Sequence, residues 1–151
     1  MIRILKEKES KHVLSNNYIG YLGYIFKNEP FIAPITYYYN PEKNIIIGYS
    51  DEGHKMVAMR KHNKVCLEVA EIDSINHWES AQVHGTFRQV FGSVSKAHLH
   101  EFSLGIKHLI TRKEKKNLSF ISEFSSKISK GETPIVFVID VLDVTGRMRR
   151  H

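Results

Sequence analysis

Apolar positions in the first half of the chain fall in short runs and alternations broken by turn residues, a pattern that reads as strands. Tyr18 to Phe26 (YIGYLGYIF) is rich in aromatic and β-branched residues and predicts a strand. Phe31 to Tyr39 (FIAPITYYY) and Asn44 to Tyr49 (NIIIGY) predict two more. Between them lie Lys27-Asn28-Glu29-Pro30 and Asn40-Pro41-Glu42-Lys43. Both have turn chemistry, since proline presets its backbone angle and asparagine tolerates turn conformations. Three strands joined by short turns make an antiparallel meander. Ser10 to Asn16 predicts a short leading helix, and Gly53 to His62 a second helix. Val65 to Ile72 and Trp78 to Phe91 (WESAQVHGTFRQVF) predict a fourth and a fifth strand. Leu99, Phe102, Ile106, Leu109 and Ile110 fall at helical spacing, as do Leu118, Ile121, Phe124 and Ile128. After Pro134 the run IVFVIDVLDV reads as a buried last strand.

Strands dominate and helices are excursions, so the fold class is mainly β, in a single domain over residues 1–151. Six strands suffice to close a small barrel, which removes exposed edges. A doubly wound α/β sheet would alternate strand and helix throughout. The composition, 42% hydrophobic and 25% charged, is ordinary for a soluble globular chain. No apolar run reaches membrane-spanning length. The start, MIRILKEKESKH, lacks the apolar core of a signal peptide. With one cysteine, Cys66, no internal disulfide can form, and the expectation is a cytoplasmic protein.

The net charge of +6 raises the prospect of an anionic partner. Much of the excess sits in Lys107 to Lys116 (KHLITRKEKK) and in Arg147-Met148-Arg149-Arg150-His151. The expectation for these is a solvated helix end and a frayed terminus, because aromatics do not interleave with them as a single-strand nucleic-acid binder requires. No nucleic-acid partner is expected.

Candidate chemistry lies elsewhere. Pro34 interrupts a strand, which marks an edge, or a place where the backbone of Ile35 and Thr36 faces a ligand. By period two, Ala81, Val83, Phe87 and Phe91 share one face of the fifth strand. Trp78, Ser80, Gln82, His84, Thr86 and Arg88 share the other, a mixed surface that solvent, a ligand or a second subunit could satisfy. The stretch GYSDEGHKM puts His54 and Lys55 in the first turn of a helix, where backbone N–H groups already concentrate positive charge. Ser50 adds a hydroxyl, and Gly53 lets a backbone or ligand come close. That is a phosphate cradle in its chemistry, although a cationic helix start is also common on plain surfaces. No Walker sequence, HExxH or GxSxG occurs. His98 and His100 diverge on a helix, and a helix-to-strand break separates His62 from Cys66, so no metal is expected. Cys66, inside VCLEV, reads as a small hydrophobe rather than a nucleophile.

Three segments in order, GYLGYIFKNEPFIAPITYYYN, IIIGYSDEGHKMVAMRKHNKVCLEV and WESAQVHGTFRQV, resemble the FMN-binding split-barrel family. That family includes pyridoxamine 5'-phosphate oxidase and the nitroimidazole-resistance proteins, and the resemblance is closest to the latter, flavin-nucleotide-binding branch. It implies a six-stranded antiparallel Greek-key split barrel, a homodimer, and FMN at the subunit interface. It also implies that Pro34, Ile35, Thr36 and Tyr37 line the flavin ring and that Ser50, Gly53, His54 and Lys55 hold its phosphate. Trp78 and Ser80 would reach the flavin from the partner subunit. The implied activity is oxidoreduction of a small planar acceptor such as a nitroaromatic, with NAD(P)H or a reduced flavin as donor and no catalytic side chain named. The acceptor would stack near Trp78 or the cluster Tyr37-Tyr38-Tyr39, although strand packing accounts for those tyrosines equally well. Two departures bear on this. The oxidases have Arg where His54 stands, and their substrate-binding tail is not evident after Asp140, so oxidation of pyridoxamine phosphate is not expected. Alternatives are a flavin-binding or redox-sensing protein without turnover, or a split barrel holding haem, with His84 or a C-terminal histidine as axial ligand, or a deazaflavin.

Overall fold

The computed structural model describes residues 1–114 and 134–150. Its elements are β1 (Ile2–Ile4), α1 (Glu7–Ser15), β2 (Ile19–Phe26), β3 (Glu29–Asn40), β4 (Ile45–Ser50), α2 (His54–Lys61), β5 (Lys64–Ser74), β6 (His77–Gln89), α3 (Gly92–Glu114) and β7 (Ile135–Arg149). All strand pairs are antiparallel. β2, β3 and β4 make a meander joined by short hairpins. The turn between β2 and β3 needs only two residues, Lys27 and Asn28, both with positive φ (49° and 68°). A two-residue turn with positive φ at both positions matches the twist of the strands it joins. Glu29 and Pro30, expected in the turn, are already strand.

From β4 the chain crosses through α2, and β5 returns beside β2. A fourth strand lying beside the first of three is a Greek key. β6 pairs with β5 along nearly its whole length, and β7 then pairs with both β6 and β4. The ring β2-β3-β4-β7-β6-β5 is thereby closed with the six strands expected. The seventh strand, β1, adds to the far end of β7 (Ile2↔Arg149). Three residues, Ile2-Arg3-Ile4, are too few to establish a period of two, which is why the pattern did not reveal it.

Inward residues such as Leu22, Tyr37, Ile46, Leu67, Val83, Phe137 and Ile139 fill the barrel, joined by Val13 and Leu14 from α1 and by Met56 and Met59 from α2. α3 packs outside, setting Phe102, Ile106 and Ile110 on Ile45, Ile47, Val136 and Val138. That packing explains the continuous apolar runs in β4 and β7, since both strands are buried on both faces.

Several expectations need correction. α1 begins at Glu7, not Ser10, because the Glu9 carboxylate accepts the Lys6 N–H at 2.9 Å and caps the first turn. β6 ends at Gln89, so Phe91 lies beyond the apolar face and is exposed. Arg147 and Arg149 belong to β7 rather than to a frayed tail. The cations at the end of α3 are not simply solvated: Arg112 donates to Asn16, and Lys113 donates to Asn16, Asn17 and Glu71. The helix expected over Leu118 to Ile128 lies outside the described residues. No helix among the described residues is long and apolar enough to cross a membrane.

Candidate functional site

β3 pairs with β2 from Glu29 to Thr36, but with β4 only from Tyr37 to Asn40. At Pro34 the strand therefore has an open edge toward β4, and the missing N–H of proline removes no bond there. Pro34 is at an edge, and that edge lines a cavity. The cavity has a volume of about 500 Å³. Ala33, Pro34, Ile35 and Thr36 form one wall. Ser50, Gly53, His54 and Lys55 form another, where β4 breaks into α2. Seven of the residues singled out from the sequence thus meet around one space.

The break that makes this wall is local. Gly53 caps α2, which has no side-chain cap and no acidic residue in its first turn. The first intrahelical bond runs from the Val57 N–H to the Gly53 carbonyl at 3.1 Å, so the N–H groups just before it have no partner within the helix. A Cβ built on Gly53 would meet no atom within 4 Å, so the space beside it is open. The Ser50 hydroxyl donates to the Asp51 carbonyl at 2.9 Å, leaving its lone pairs.

Asp51 and Glu52 also line the cavity. Glu52 is bound by Arg60, whose Nη2 donates to Oε2 at 2.9 Å, while Arg60 Nε donates to Gln89 at 2.9 Å. That hydrogen bond holds the Glu52 carboxyl below its usual range. Arg60 thus offsets the Glu52 carboxylate, and Lys55 and the helix start favour an anion.

Three of the expected residues lie elsewhere in the protomer. Tyr37 is fully buried in the core, where its hydroxyl donates to the Leu14 carbonyl at 2.8 Å and burial pushes its pKa up. Tyr39 is buried too and donates to Asn44 at 2.7 Å, so these two tyrosines serve packing. Trp78 and Ser80 lie on β6, with Ser80 beside a separate cavity that Glu68, Gln82 and Arg147 also line. His84 is exposed and lies 3.1 Å from Asp143.

The sequence reading passed over Tyr24, Phe26 and Phe31. Tyr24 lines the cavity, and its hydroxyl lies 3.1 Å from His54 Nδ1. Phe26 and Phe31 set their rings 4.0 and 4.8 Å from the His54 ring, edge to face. The available signal was two aromatics flanking a two-residue polar turn. Tyr24 also borders a second, apolar cavity of about 400 Å³ with Phe31, Cys66 and Leu142.

Residues 6–130 match the pyridoxamine 5'-phosphate oxidase family. The chain belongs to that family. An uncharacterized protein of Rhizobium meliloti is 26% identical over 148 residues, which is 97% of this chain and 94% of that one. Among solved structures, an FAD-binding protein from Mesorhizobium loti superposes with a TM-score of 0.76 at 22% identity, covering 100% of this chain and 98% of that one. A candidate 5-nitroimidazole antibiotic resistance protein from Bacteroides thetaiotaomicron superposes at 0.68 and 14% identity, over 98% and 89%. These likenesses show the fold, and they agree with the split-barrel resemblance in the sequence.

Proposed function

We propose that the protein is an FMN-binding flavoprotein and an oxidoreductase. It works as a homodimer with the flavin at the subunit interface, takes electrons from NAD(P)H or a reduced flavin, and reduces a small planar acceptor such as a nitroaromatic. The observation that carries this reading is the convergence of Pro34, Ile35, Thr36, Ser50, Gly53, His54 and Lys55 on one cavity. The residues fit the group. The open space at Gly53, the unpaired helix N–H groups and Lys55 suit a phosphate, which carries close to two negative charges at neutral pH. Flavin supplies the redox chemistry when bound, and the chain binds and orients it.

In this reading the ring lies along the open edge of β3, where backbone groups near Ile35 and Thr36 meet it. Trp78 and Ser80 would complete the site of the other subunit. Their place on the outer face of the barrel supports that role, because the same face carries Pro34. The register runs Pro34↔Tyr21↔Glu68↔Gln82↔Thr145 across five strands. Family membership does not carry the oxidases' substrate to this chain.

The test is flavin binding by the purified protein. Wild-type protein should take up FMN in preference to FAD and retain its visible absorption through desalting. Lys55→Ala should weaken FMN by about 1.5–3 kcal/mol, the range for a hydrogen bond to a charged group. Unchanged affinity in that variant would remove Lys55 from the site. A bound flavin that no acceptor reoxidises faster than free FMN would leave a binding or redox-sensing protein instead of an enzyme.

A further inference from the structure

We propose that Tyr24 is a positioning residue that decides which nitrogen of His54 meets an anion in this cavity. Its hydroxyl occupies Nδ1 and leaves Nε2 as an N–H donor for phosphate. The inference rests on the flavin phosphate reading above and assigns a part to a residue outside it.

The geometry is specific. The Tyr24 oxygen lies 3.1 Å from His54 Nδ1. Three rings surround the imidazole at steep angles: Phe26 at 4.0 Å and 88°, Phe31 at 4.8 Å and 68°, and Tyr24 itself at 5.7 Å and 62°. Tyr24 and Phe31 stack on each other at 5.9 Å and 13°, so the enclosure is braced. Phe26 and Phe31 flank the tight turn at Lys27 and Asn28, and Lys27 Nζ lies 5.3 Å from the centre of the Phe26 ring. The tip of the β2–β3 hairpin therefore closes on the histidine and limits its rotation.

With Nδ1 taken, the nitrogen left for a ligand is Nε2. In a neutral ring, a phenol O–H donating to Nδ1 requires the proton on Nε2. In an imidazolium, Nδ1–H donates to the phenol oxygen and Nε2 again carries a proton. Both states present a donor to phosphate. The remaining tautomer would present a lone pair to an anionic oxygen, and the ligand disfavours it. The tyrosine thus lets one histidine hydrogen-bond at both nitrogens at once, without requiring a charge.

The test compares FMN with riboflavin, which lacks the phosphate. Tyr24→Phe keeps the ring and its packing and removes only the hydroxyl. It should lower the ratio of FMN to riboflavin affinity by about tenfold, the effect of one net hydrogen bond. His54→Gln should lower the ratio as well, and the double variant should lower it no further than His54→Gln alone, because the two residues act through one contact. ¹⁵N NMR of the FMN-bound wild-type protein should show the proton of His54 on Nε2. An unchanged ratio in Tyr24→Phe, additive losses in the double variant, or a lone pair on Nε2 would each overturn the inference and leave FMN binding intact. Failure of the wild-type protein to bind FMN would overturn the flavin reading and this inference with it.

Discussion

A Cβ on Gly53 would meet open space, whereas one on Gly105 in α3 would lie 2.2 Å from the Tyr38 ring. The two glycines therefore answer to different demands. The φ of Gly53 is 171°, extended backbone that any residue adopts. Gly53→Val should cost only about 1 kcal/mol of stability, since the space is open but valine is a poorer helix N-cap than glycine. It should nevertheless cut FMN affinity, since its side chain would compete for the cradle. Calorimetry and flavin titration on the same sample read both, and unaltered FMN binding would count against the phosphate position. At Gly105 an alanine gains about 1 kcal/mol of helix propensity but forces the ring aside, at about 1–3 kcal/mol. The Tm of Gly105→Ala should fall in the wild-type background and rise in Tyr38→Ala. A fall in both would mean that Tyr38 is not the obstacle. Pro34, His54 and Lys55 were legible in the sequence because each breaks a local rule: a proline in a strand, cations at a helix start. Tyr24 breaks none. An aromatic in a β-strand is what packing alone would choose, and its bond to His54 spans thirty positions and two hairpins.

The attachment of α3 shows the same contrast one level up. Its apolar stripe was readable at helical spacing, but its anchor was not. Lys113 Nζ reaches the Asn16 carbonyl at 2.6 Å, the Asn17 side chain at 3.0 Å and Glu71 at 2.9 Å. These partners lie on the α1–β2 connection and on β5, and no local pattern brings them together. Lys113→Met keeps the aliphatic stem and should cost about 1 kcal/mol, or about 2–4 °C in Tm for a chain of this size. The loss should depend on pH. Burial pushes the Glu71 carboxyl up, but the hydrogen bond and charge of Lys113, together with hydrogen bonds to Asn17 and Glu79, outweigh it and leave the net shift downward. A folded value below the unfolded one contributes stability that is complete above the ordinary carboxylate range and fades as pH falls through the folded value. The gap in Tm between wild type and Lys113→Met should narrow from about pH 7 toward about pH 3. A constant gap would mean that Glu71 is not the partner that matters.

At the scale of the molecule, α3 covers one side of the barrel and leaves another side bare. Ile19, Tyr21, Ile32, Ile72 and Leu142 are exposed around the outer face that carries Trp78 and Ser80. A bulge in β7 opposite His84 and Gly85 inserts Leu142 into this surface. Apolar groups gathered on one face mark a contact surface. Ile32→Glu should convert a dimer to a monomer in light scattering, with a Tm close to wild type and FMN affinity lowered together with assembly. A monomeric wild-type protein, or a dimer indifferent to this change, would sink the homodimer. The six strands were legible because each carries its own alternation or, in β4 and β7, a continuous apolar run. The closure of the ring was expected from the strand count and the family resemblance alone, because β7 meets β4 and β6 across long stretches of chain and no local pattern names those partners. That same closure governs the order of assembly during synthesis. β7 is translated after every other strand, so β4 and β6 must wait with open edges, and the ring cannot shut co-translationally strand by strand. Pairings so distant in sequence form slowly, and open edges invite other chains. The hours of greatest vulnerability for this protein are the moments of its birth: fast translation or high expression should drive it into aggregates, and slower synthesis in the cold should recover it as folded barrel.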